Sequence, residues 1–143
     1  MSDADLVEDL TSLCEEYGLL AVYAFGSRAA EIAALVSGGS PASEHPTSDV
    51  DVGIEPLRGH ELSAKDRVCL MQRLETLFGV ARVDLILLPE ASAFLAADTV
   101  RGELLAATDL DAEARMQLYY LDCAADLVPF LRESWRTTVG TDL

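Results

Sequence analysis

The stretch Ser48-Asp49-Val50-Asp51-Val52-Gly53-Ile54 constrains this chain more than any other. Val50, Val52 and Ile54 alternate with Asp49, Asp51 and Gly53, and a period of two is the period of a β-strand. One face of such a strand is apolar and the other carries two carboxylates. Two unit charges 4 Å apart repel by about 1 kcal/mol at the dielectric of water and about 4 at the effective dielectric near a protein surface. An unneutralised pair on a half-buried strand is therefore a liability. With no Lys or Arg inside the strand, the first candidate to neutralise it is a hard divalent cation bound through oxygen, most naturally Mg²⁺. The plainer alternative is two acids decorating a solvent-facing strand, and the surrounding sequence bears on which holds.

A chain of 143 residues suits one domain, 1–143, with its own core. No apolar run approaches the length needed to cross a bilayer, the longest being Leu19 to Phe25. The opening Met1-Ser2-Asp3-Ala4-Asp5 is acidic where a secretory leader would be basic and then apolar. A soluble, cytoplasmic protein without a membrane partner is expected. Cys14, Cys69 and Cys123 are odd in number, far apart and set in apolar helical patterns, so buried reduced thiols are expected rather than a disulfide or zinc site. The net charge of −15, from 25 acids against 10 bases, repels a phosphate backbone and argues against a nucleic-acid partner. It favours fast association with a basic partner protein, or simply solubility.

Along the chain, Ser2-Asp3-Ala4-Asp5 reads as a capping box, and Leu6, Leu10, Leu13, Cys14 and Tyr17 share one helical face up to Gly18. Leu19 to Phe25 reads as a buried strand. A helix over 29–36 and loop chemistry over 37–47 follow. After the acid-bearing strand, Ser63-Ala64-Lys65-Asp66 is a second capping box, and Arg67, Leu70, Met71, Leu74, Leu77 and Phe78 keep helical spacing to Gly79. Val83 to Leu88 forms a third strand bearing Asp84 and stopped by Pro89. A helix starts near Ser92. Residues 103–106 fit either a fourth strand or the end of that helix. The last helix opens near Asp109 or Asp111, is apolar on nearly every side, and contains Pro129, where a kink is expected. This alternation predicts an α/β fold, a small mixed β-sheet flanked by helices with a long closing C-terminal helix. The apolar excess of that helix leaves open a partner, self-association, or a helix sandwiched inside the domain.

Gly26-Ser27 falls where a strand gives way to a helix, a place where backbone N–H groups and the helix dipole favour anions. Glycine permits close approach, the serine hydroxyl is a donor, and Arg28 adds a charge-assisted one. Phe25-Gly26-Ser27-Arg28-Ala29, Ser48-Asp49-Val50-Asp51-Val52 and Val83-Asp84-Leu85-Ile86 together resemble the signature of the polymerase-β-like nucleotidyltransferases. Their order and the short chain make it similar to a minimal nucleotidyltransferase of the MNT type, and Tyr119-Tyr120-Leu121-Asp122 and Pro129 in the closing helix extend the likeness to the MntA-like antitoxins.

The resemblance implies a metal-dependent transfer of AMP from ATP. Asp49, Asp51 and Asp84 would be the catalytic, metal-binding acids for two Mg²⁺ ions, and Gly26, Ser27 and Arg28 would bind the nucleotide. The acceptor it implies is a tyrosine hydroxyl of a HepT-like toxin. The alternatives are a non-catalytic antitoxin or scaffold of this fold, and AMP transfer to a small hydroxylated molecule. Relative to the family the acid pair comes late after the Gly-Ser turn, so an insertion over about 31–47 is expected, as a lid or, preferably, a disordered excursion. His45 and His60 read as exposed polar residues, Trp135 as a packing anchor, and Asp122, Asp126, Glu15 and Glu16 as solvated faces.

Overall fold

The structure, a computed structural model, describes residues 3–39 and 49–139. Its elements run α1 (Asp3–Tyr17), β1 (Leu19–Phe25), α2 (Ala29–Val36), β2 (Val50–Pro56), α3 (Ala64–Phe78), β3 (Val83–Leu87), a 3₁₀ turn (Leu88–Glu90), α4 (Ala93–Val100), β4 (Glu103–Ala107) and α5 (Leu110–Val139). The four strands form one mixed sheet in the order β3-β2-β1-β4, with β2 parallel to β3 and β1 antiparallel to β2 and β4.

Alternation along the strands sorts the sheet into two faces. Val22, Ala24, Val50, Val52, Ile54, Val83 and Leu87 line one face. It is covered by Leu6, Leu10 and Leu13 of α1, Ile32 and Val36 of α2, and Leu70, Leu74 and Phe78 of α3. On the other face Ala21 and Tyr23 pack with Leu88, with Ala96 and Val100 of α4, and with Met116 and Tyr120 of α5. Burying an aliphatic side chain of this kind contributes about 1.5–3 kcal/mol, so these stripes fix which helix lies on which face.

Local signals act where the sequence places them. The Ser63 hydroxyl accepts from the Asp66 N–H and the Asp66 carboxylate from the Ser63 N–H, both at 3.0 Å, and Gly79 closes α3 in the left-handed conformation at φ 66°. The box expected at Ser2 lies outside the described residues. The ambiguous 103–106 segment is a strand because it satisfies its backbone against β1, with Leu104 opposite Tyr23 and Ala107 opposite Ala21. The Asp109 carboxylate accepts from the Ala112 N–H at 3.1 Å and so opens α5.

Several expectations are corrected. The six residues 31–36 are not insertion loop: they belong to α2, and Ile32 and Val36 are core residues. Residues 40–47 of that segment, His45 included, lie outside the described residues. Pro129, where a kink is expected, lies inside α5, and the described side chains around it face solvent, so water can satisfy the backbone group the proline frees. Trp135 is 63% exposed and anchors no packing. Leu127, Val128, Phe130 and Leu131 are exposed too, so the end of α5 is not sandwiched inside the domain. Only Cys14 is fully buried, its thiol pushed up to about 11 by burial and by Glu15, while Cys69 and Cys123 are half-buried. Among the described residues no helix is long and apolar enough to cross a membrane.

Helix α4 approaches the sheet closely at Gly53. A β-carbon built there would stand 2.3 Å from Cγ2 of Thr99 on α4. Gly53→Ala is therefore expected to destabilise the protein by about 1–3 kcal/mol in urea unfolding, the usual range for overpacking. Adding Thr99→Ser, which removes that methyl and keeps the hydroxyl, should recover most of the loss. Equal stabilities for Gly53→Ala with and without Thr99→Ser would contradict this packing.

Candidate active site

The parallel pairing of β2 with β3 sets Val50 beside Val83, Asp51 beside Asp84 and Gly53 beside Ile86. Neighbouring strands lie about 4.8 Å apart, so Asp51 and Asp84 stand side by side and point to the same face. Asp49, two residues before Asp51, shares that face by alternation. Across the other edge of β2, Phe25 is the partner of Asp51. The three acids named from the sequence and the last residue before the Gly-Ser turn thus meet at one end of one face.

That end is open because α4 stops short of it. Thr99 of α4 seats on Gly53, and the acids lie one step further along the strands. Asp84 is exposed and Asp49 and Asp51 are half-exposed. Asp51 has its carboxyl pKa held above the ordinary range, first by burial, then by the charge of Asp84 and then by that of Asp49. Burial and like charge act in the same direction, as they do wherever carboxylates share a site. On its outer flank Asp49 meets Arg82, at a loose 3.9 Å.

The Gly-Ser turn abuts this cluster. Gly26 has φ 77°, a conformation that glycine adopts without penalty. A β-carbon there would fall 2.4 Å from Oδ2 of Asp51, so any other residue would displace the carboxylate. Gly26 and Ser27 are exposed, and α2 follows with Arg28 as its N-cap, whose side chain makes no capping bond. The guanidinium of Arg28 turns instead to Glu31, with Nη2 to Oε2 at 2.6 Å and Nε to Oε1 at 3.3 Å, and Arg28 is buried.

The donor set suits a divalent cation: hard oxygen ligands, all on one face, with a mutual repulsion that an ion would relieve. As the side chains stand, no group of three His, Cys, Asp or Glu among the described residues is gathered to ligating distance. Asp49, Asp51 and Asp84 are the residues that would hold such an ion.

Three features of this region were not anticipated. Arg82, immediately before β3, neighbours Asp49. Behind the acids, Tyr23 on β1 donates a short hydrogen bond to Glu113 of α5, and Tyr120 of α5 donates to Glu55 of β2 at 2.7 Å. Burial holds the Glu55 carboxyl above its ordinary range, against the lowering effect of the Tyr120 hydrogen bond. A signal for this pair of links was present: Glu113, Met116, Tyr120 and Ala124 fall at helical spacing on the buried stripe of α5, and an acid on such a stripe needs a partner. A cavity of about 1110 Å³ opens at the opposite end of the sheet, lined in part by Glu55, Arg58, His60 and Arg115. It lies away from the acids.

No protein-family profile and no curated protein sequence matches this chain. Solved structures do. A chain of a toxin–antitoxin complex with AMP-PNP superposes with a TM-score of 0.67 at 20% identity, covering 94% of this chain and 98% of that one. A chain from a complex of a tri-AMPylated Shewanella oneidensis HEPN toxin with MNT antitoxin gives 0.62 at 19% identity, covering 96% and 99%. A protein assigned as a minimal nucleotidyltransferase gives 0.50 at 28% identity, covering 74% and 96%. The chain has the fold of these nucleotidyltransferases, the small mixed sheet and long C-terminal helix included.

Replacing Asp51 by Asn removes the least comfortable charge of the cluster. A carboxyl whose pKa is raised in the folded state weakens folding where it is ionised, and the penalty disappears below its unfolded value, here 3.8. Without divalent cations, Asp51→Asn is expected to melt at a higher temperature than the wild type at pH 7, the gain shrinking as pH falls through the raised folded-state pKa and gone below 3.8. A gain independent of pH, or a loss at pH 7, would contradict the electrostatic account.

Proposed function

We propose that this chain is a metal-dependent nucleotidyltransferase that serves as the antitoxin of a HepT-type toxin–antitoxin pair, transferring AMP from ATP to a tyrosine hydroxyl of the toxin. The observation that carries this reading is Asp51 held in register with Asp84 and against Gly26. Acids that bind cations and a turn that accepts phosphate adjoin at the open end of the sheet. The fold is shared with a chain from an MntA–HepT complex and with one from a complex of an AMPylated HEPN toxin with MNT antitoxin, and the chain charge of −15 suits a basic partner.

The reaction is an in-line displacement. The tyrosine oxygen bonds to the α-phosphorus of ATP, the bond from that phosphorus to the bridging oxygen breaks, and pyrophosphate leaves with the electron pair. Divalent cations bound there would offset charge on the attacking and leaving oxygens. Asp49 and Asp51, with Asp84, are the residues that would hold them. Asp84, the most exposed of the three acids, binds on the acceptor side and takes the hydroxyl proton. The Gly26 turn brings backbone N–H groups and the Ser27 hydroxyl to the phosphate oxygens. The dense packing of β2 between β1 and β3 holds these groups on rigid strands, which favours a preorganised site over one assembled by loops.

Incubation of the protein with ATP labelled at the α-phosphate, Mg²⁺ and a HepT-like toxin is expected to put label on the toxin. Asp49→Ala and Asp51→Ala should each reduce transfer by at least about a hundredfold, since loss of even the outer partners of metal ligands costs about 10–100-fold, while far-UV circular dichroism stays unchanged. Label on neither protein with Mg²⁺ or Mn²⁺ would refute the reading. Full neutralisation of the toxin by the double alanine variant would instead establish a non-catalytic antitoxin.

A further inference from the structure

An acidic protein that binds ATP faces a charge problem. The triphosphate brings about four negative charges to a chain of net −15 and to a face that already carries three carboxylates, and phosphate sites are held by Arg or Lys as a rule. The arginine next to the turn in sequence is committed elsewhere. Arg28 is 8% exposed and bonded to Glu31 through two nitrogens, so its charge is offset within α2. Arg82 stands on the far flank of the cluster, beside Asp49.

A third arginine adjoins the turn from the opposite side. Strand β4 pairs with β1 on the edge away from β2, and its first residue, Glu103, is opposite Ala24. A β-carbon on Gly102 would stand 2.4 Å from the Ala24 carbonyl oxygen and 3.1 Å from Cβ of Phe25. The corner between α4 and β4 is therefore pressed against the last residues of β1 before Gly26. Arg101 is the C-cap of α4 and forms this corner. Its side chain is 61% exposed, and its ion pair is with Asp98 at 3.7 Å, itself 71% exposed. A long, solvent-exposed pair of this kind is worth little, so the guanidinium is available to a stronger anion.

We infer that Arg101 is the residue that binds the terminal phosphates of the nucleotide. This rests on the nucleotidyltransfer reading and adds the group that reads triphosphate against monophosphate. The acids of β2 and β3 lie on one side of the Gly26-Ser27 turn and Arg101 on the other. A polyphosphate with its α-phosphate at the acids runs over the turn and ends at the guanidinium, whose planar fork matches two phosphate oxygens.

The test is calorimetric titration of ATP and of AMP, each with Mg²⁺, into the wild type, Arg101→Ala and Arg101→Lys, with thermal melting as a check of folding. Arg101→Ala should bind ATP about tenfold more weakly, in keeping with the loss of a charge-assisted contact, and AMP as the wild type does. Arg101→Lys, which keeps the charge without the fork, should fall between. ATP binding that is unchanged in Arg101→Ala, or ATP and AMP weakened alike in both variants, would overturn the assignment while leaving the nucleotidyltransfer reading intact. A wild type that binds no ATP would remove that reading and this inference together.

Discussion

The arrangement depends on one register, the parallel pairing that sets Asp51 of β2 beside Asp84 of β3. A slip of one residue would turn Asp84 to the opposite face and bring Val83 or Leu85 out of the core. The apolar residues that fix the register are therefore the same ones that fix the site. Val50, Val52 and Ile54 interlock with Val83 and Leu87 on the covered face, and their burial forces the intervening acids outward together. A charge cluster unfavourable by itself is maintained because the hydrophobic gain on the other side of the sheet outweighs it.

The second determinant is coverage. Both faces of the sheet carry helices, yet α4 ends over Gly53 and leaves the next row of side chains open. Thr99 at 2.3 Å from a notional Gly53 β-carbon and Asp51 at 2.4 Å from a notional Gly26 β-carbon show how closely the two boundaries of the site are drawn. Behind this row, Tyr23 with Glu113 and Tyr120 with Glu55 tie α5 to the two central strands. These hydrogen bonds satisfy carboxylates that would otherwise be costly to bury. Beyond Ala124 the described part of α5 exposes Phe130, Leu131 and Trp135, a surface that suits a partner protein better than water.

Much of this was legible in the chain itself, for identifiable reasons. The period-two runs at 50–54 and 83–87, the capping box at Ser63 and the stop at Gly79 are local signals, and the structure uses each of them. The likeness to minimal nucleotidyltransferases rested on the order of three short motifs and agrees with the fold. Non-local outcomes were harder to read. Residues 103–106 have no decisive periodicity, and only pairing with β1 makes them a strand. Arg28 follows the Gly-Ser turn in sequence, and its pairing with Glu31, one helical turn on, is set by the fold of α2. Arg82, immediately before β3, reaches Asp49 across a strand boundary, which spacing along the chain does not show.

The central claim is that Asp49, Asp51 and Asp84 form one cation site beside the Gly26-Ser27 turn. Electron paramagnetic resonance of Mn²⁺, titrated into the protein with a non-hydrolysable ATP analogue, measures that directly. The account predicts saturable uptake of Mn²⁺ by the wild type that is lost in Asp51→Asn and strongly weakened in Asp84→Asn. Uptake by both variants equal to that of the wild type would contradict it.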